Sequence, residues 1–69
     1  MRKLFEENLT LDEMSDIWCG WDNEGLLYGW ENGKAGEAYV LLSEKGYNMD
    51  SIKVLHEAFV TFGELIGAI

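Results

Sequence analysis

In the last third of the chain, Ile52, Leu55, Phe59, Phe62, Ile66 and Ile69 recur at intervals of three or four residues. That spacing places their side chains on one face of an α-helix. An apolar stripe of this kind must be covered by other elements, so it sets the architecture of so short a chain. Asp50, just ahead of the stripe, is a residue type suited to the N-cap. Gly63 and Gly67 lie four apart, which lets another backbone come close. The spacing reads as tight packing within the domain rather than as a dimer seam.

A second helix is announced at Thr10-Leu11-Asp12-Glu13. This is a capping box, in which the Thr10 hydroxyl accepts from the Glu13 N–H and the Glu13 carboxylate accepts from the Thr10 N–H. From there Leu11, Met14, Ile17, Trp18 and Trp21 form an inward stripe, and Gly20 or Gly25 ends the run. The middle of the chain reads two ways. Asn32-Gly33 favours a type I′ turn pairing Leu26–Trp30 with Ala35–Leu42 as a β-hairpin. Against it, Ala35, Ala38, Tyr39 and Leu42 share one helical face, and Glu44-Lys45-Gly46 resembles a glycine C-cap. Helix is therefore favoured over strand for residues 34–45. The expected fold is mainly α: a small three-helix domain around Trp18, Tyr39, Phe59 and Phe62, with the hairpin left open in the middle region.

Residues 1–69 are expected to form a single small acidic domain, near the lower size limit for an independent core. Chains this small often lean on a disulfide, a metal or a partner. Cys19, the one cysteine, has no internal partner and fits a reducing compartment. A monomer or a homodimer is expected. Glu6 and Glu7 interrupt any apolar run near the start, so no signal peptide is read there. Lys53, His56, Glu57 and Glu64 interrupt residues 52–69, which read as a core helix and not a membrane span.

Charge carries the functional reading. The net charge is −8, and the twenty-four residues from Thr10 to Gly33 hold Asp12, Glu13, Asp16, Asp22, Glu24 and Glu31 with no Lys or Arg. Solvated helix faces usually mix signs to avoid self-repulsion. Asp12 and Asp16 instead form a like-charge i,i+4 pair, which costs a few tenths of a kcal/mol in an isolated helix. A run of carboxylates without bases suits a partner surface lined with Lys and Arg, the surface that nucleic-acid-binding proteins present to phosphates. Direct binding of nucleic acid by the chain itself is excluded by the same charge. Tyr28 and Trp30, between glycines and beyond the stripe, are candidate aromatic anchors for a protein partner. As the bland alternatives, the acids would serve solubility and the two aromatics would cap the core.

Catalysis finds little support. His56 and Cys19 stand on different elements, so a nucleophile pair would need the fold to unite them. Asp22-Asn23-Glu24-Gly25 lacks the ligand spacing of a calcium loop, and Gly25, Gly29 and Gly33 lack the motif of a phosphate-binding loop. No metal, no cofactor and no enzymatic activity are expected.

Two segments carry a resemblance. Met1-Arg2-Lys3-Leu4-Phe5-Glu6-Glu7 and Trp18-Cys19-Gly20-Trp21-Asp22-Asn23-Glu24-Gly25 resemble small phage-encoded anti-CRISPR proteins acting on type I-C systems. The resemblance extends over the whole chain but has no diagnostic motif, so it transfers no functional residues. It implies a DNA mimic that binds the surveillance complex Cascade in the cytoplasm of a bacterial host. There it would block target DNA where the short flanking motif is read, a surface that uses Arg or Lys. In addition, Asn23-Glu24-Gly25-Leu26-Leu27-Tyr28-Gly29-Trp30 is similar to the Asn-x-Gly-x-Leu-x-Gly-x-Trp pattern of antirestriction proteins, also DNA mimics. Asn23 and Gly25 fit that pattern, whereas Trp30 comes one position early. An antitoxin-like or regulatory module binding through exposed aromatics is the alternative of a different class.

Overall fold

The capping box forms as the sequence predicts. In the computed structural model, which describes residues 1–25 and 35–69, the Glu13 N–H donates to Thr10 Oγ1 at 3.1 Å and the Thr10 N–H donates to Glu13 Oε1 at 2.9 Å. Among the described residues the chain forms four helices: α1 (Arg2–Asn8), α2 (Leu11–Glu24), α3 (Ala35–Glu44) and α4 (Ile52–Leu65). The architecture is mainly α, but the expected count of three was too low. α1 holds only seven residues, shorter than the window over which helical periodicity can be read. A helix so short is not stable alone. It is held by Phe5, which is fully buried.

The start of α2 shows which leucine enters the core. Leu9 precedes the cap and Met14 is the fourth helical residue, and both are buried in one cluster. These are the two positions of a hydrophobic staple, which sets the angle at which the chain enters the helix. Leu11, expected inward, is 61% exposed, since at about 100° per residue it projects roughly a quarter-turn away from buried Met14, Ile17 and Trp21. The helix runs through Gly20 and stops at Gly25, whose φ of +112° suits a residue without Cβ.

Residues 35–42, expected as the second strand if the hairpin formed, are helical, so no hairpin forms there. The other strand, Leu26–Trp30, and the Asn32-Gly33 turn lie outside the described residues. α3 ends on a Schellman motif: Gly46 has φ +90°, its N–H donates to the Ser43 carbonyl, and the Tyr47 N–H donates to the Leu42 carbonyl, both at 3.1 Å. Its buried residues are Ala35, Ala38 and Leu42. Two alanines make that face shallow, and Tyr39, expected in the core, stands at its edge and is 40% exposed.

Asp50 does not cap α4. Ser51 occupies the N-cap without a side-chain bond. The Asp50 N–H donates to Asn48 Oδ1 and the Ser51 N–H to the Asn48 carbonyl, so a turn built on Asn48 moves Asp50 one residue ahead of the cap. The far end closes like α3: Gly67 has φ +80°, and the Ala68 N–H donates to the Gly63 carbonyl at 2.8 Å. The predicted stripe holds in its centre, with Leu55 and Phe62 buried and Phe59 and Ile66 packed against the cluster, while Ile52 and Ile69 at its two ends are exposed.

Phe62 is the hub. Phe5 meets it edge-on, with ring centroids 4.3 Å apart and planes at 69°, and Trp21 stacks on it at 5.1 Å and 12°. One ring of α4 thus joins α1 and α2. Such aromatic pairs add about 0.5–1.5 kcal/mol beyond area burial. α1 also packs on α3, which completes a single core.

Candidate acidic surface

α2 carries five of the six carboxylates singled out in the sequence, and all five reach solvent to some degree. Glu31, with the aromatic candidates Tyr28 and Trp30, lies outside the described residues. The five do not form one row. Asp22 follows Glu13 by nine residues, two and a half turns at about 3.6 residues per turn, so the two project from opposite flanks. Glu24 lies about three turns beyond Glu13 and shares its flank. Asp12 and Asp16, one turn apart, face outward between the flanks, away from buried Met14, Ile17 and Trp21. Asp22 sits one turn after Trp18, on the side that meets α4.

Glu13 has two roles. Its carboxylate is held by the Thr10 N–H and hydroxyl, which lower its pKa from the ordinary glutamate value. The same carboxyl lies beside that of Glu37. Sequence reasoning passed over Glu37 because it belongs to another helix. The first turn of α3 brings it to α2, where Glu13, Asp16, Ile17 and Glu37 line a hollow of about 160 Å³. No signal in the sequence links Glu37 to Glu13 across twenty-four positions, because the link depends on how the two helices meet. Glu37 also lines a second, larger depression of about 360 Å³, together with Asn8, Leu9, Gly36, Val40 and Leu41.

The remaining chemistry-bearing residues stand apart. Cys19 and His56 are both exposed, on α2 and α4 respectively. Among the described residues no group of three or more His, Cys, Asp or Glu side chains is placed to hold a metal ion. No helix among them is long and apolar enough to cross a membrane. No protein-family model matches the chain, and neither a curated protein nor a solved structure shows significant similarity to it.

Proposed function

We propose that this chain is a small acidic inhibitor that occupies the basic, nucleic-acid-binding surface of a protein complex and so keeps nucleic acid out. The observation that carries the reading is the base-free run of carboxylates on α2, widened in space by Glu37 from α3. Lys and Arg arrays that bind phosphates respond to the density and sign of the opposing charge. Carboxylates on a rigid helix can therefore satisfy them without copying phosphate chemistry. The action is binding alone, with no bond made or broken and no cofactor. The target is Cascade of a type I-C CRISPR system, at the surface that reads the motif flanking the target, as the resemblance to small anti-CRISPR proteins implies. Direct contact with nucleic acid is disfavoured by the net charge of −8.

The test is displacement of labelled target duplex from purified type I-C Cascade. Displacement is expected to weaken as salt is raised, because exposed charges are screened over about 8–10 Å at physiological ionic strength. The combined substitution Asp12→Lys, Asp16→Lys and Asp22→Lys is expected to abolish displacement while leaving the helical circular dichroism unchanged. Full displacement by that variant would sink the proposal. The antirestriction alternative relies on the same carboxylates and is separated from it by running the assay with a restriction–modification enzyme in place of Cascade.

A further inference from the structure

Beside the acidic hollow runs a depression of different character. Its floor is aliphatic, from Leu9, Val40 and Leu41, and Gly36 contributes no side chain to fill it. Val40 is 51% exposed, on the side of α3 opposite buried Ala38 and Leu42. Asn8 and Glu37 supply the polar rim. Glu37 is the hinge of the arrangement, since it lines this groove and also the hollow that holds Glu13 and Asp16. The apolar floor is thus bordered by the Glu37 carboxylate, and among the described residues no Lys or Arg lines either depression.

We propose that this groove docks a basic amphipathic segment of a protein partner, one that seats aliphatic side chains on Leu9, Val40 and Leu41 and sets Lys or Arg against Glu37. Charge decides among occupants. A second copy of the chain would bring another net charge of −8 to an acidic rim, and nucleic acid would bring phosphates to it. A segment carrying positive charge beside its apolar face gains on both counts, and the buried apolar contact supplies affinity that salt does not screen. The inference rests on the proposed function only for the sign of the partner's charge. It adds an anchor that electrostatic mimicry does not need.

The full-length, ¹⁵N-labelled chain would be titrated with a synthetic amphipathic peptide of leucines and lysines. An oligolysine of equal charge and a leucine–glutamate peptide serve as comparisons. The expected result is that the leucine–lysine peptide moves the amide signals of Leu9, Gly36, Glu37, Val40 and Leu41, and that oligolysine binds at least about tenfold more weakly. The leucine–glutamate peptide should not bind. Val40→Ser, which removes the apolar contact without adding a carboxylate for the peptide's lysines, should cut affinity for the leucine–lysine peptide by about tenfold. Val40→Gln serves in its place if that variant loses helicity. Equal binding of oligolysine, shifts centred on Asp12 and Asp22, or undiminished binding by the Val40 variant would overturn the proposal. In the Cascade assay, a Val40→Ser chain that displaces DNA as well as the wild type, while the triple lysine variant fails, would remove the groove and leave the acidic surface standing. A wild-type chain that displaces no DNA would remove the inhibitor reading, and the peptide titration would still decide the groove.

Discussion

Trp18 and Phe59 are joined twice: their rings stack with centroids 5.0 Å apart at 18°, and the Trp18 indole N–H donates to the Phe59 carbonyl at 3.0 Å. The bond spans forty-one positions and links the outer edge of α2 to α4. Trp18→Phe keeps a ring for stacking and leaves the carbonyl without that donor. It should cost about 0.5–1.5 kcal/mol, read as a lowered urea midpoint with an unchanged slope.

Phe62→Ala should be far more damaging. It removes the ring that Phe5 and Trp21 share, and truncations of this kind cost about 3–5 kcal/mol. A core this small supplies roughly that much net stability. The variant is expected to be largely unfolded at 25 °C, visible as loss of the α-helical circular dichroism.

Gly63 and Gly67 look alike in sequence and should respond differently. A Cβ on Gly63 would collide with the Ile69 side chain and stand 2.8 Å from the Trp18 indole nitrogen, whose hydrogen bond to Phe59 resists movement. Gly63→Ala should cost about 1–3 kcal/mol by overpacking and perturb tryptophan fluorescence. A Cβ on Gly67 meets nothing within 4 Å, but the φ of +80° penalises it. Gly67→Ala should cost about 1–2 kcal/mol and leave the fluorescence unchanged.

The capping box gives stability a pH dependence of known sign. Glu13 has its pKa lowered in the folded chain by the hydrogen bonds from Thr10. Its contribution is therefore present above the ordinary glutamate pKa and is lost as pH falls through the lowered folded value. Glu13→Gln should flatten the stability profile in that acidic window and change its slope little near neutrality. Thr10→Ala removes the other half of the box and should cost about 1 kcal/mol.

The parts of this fold that could be read in advance are those set by neighbours in sequence. Thr10 and Glu13 satisfy each other within one turn, Gly46 terminates α3 by its own φ, and the centre of the α4 stripe follows from periodicity alone. What could not be read depends on distant partners. α1 is held because Phe62 receives Phe5, and Leu11 and Tyr39, each at the edge of its helix's apolar stripe, stay exposed according to how the other helices pack beside them. The candidate site divides the same way. Asp12, Glu13, Asp16, Asp22 and Glu24 were visible as a charge run, whereas Glu37 joins them only after α3 meets α2.

That division yields a further expectation. Glu37→Lys should weaken partner binding about as much as Asp16→Lys, since both line one hollow. The two substitutions should be non-additive in a double-mutant cycle. Asp22→Lys acts on the opposite flank of α2 from Glu13 and should combine additively with Glu37→Lys, measured as Kd by calorimetry.

The placement of Glu13 and Asp22 on opposite sides of α2 also constrains the shape of the partner proposed for this chain. A flat surface laid against the helix could reach Asp12 and Asp16 with one flank, but not both flanks together. A partner that loses affinity on substitution at Glu37 and again at Asp22 must enclose α2 from two sides. Its basic surface is then a cleft about one helix wide, on the order of 10–12 Å, with cations on both walls.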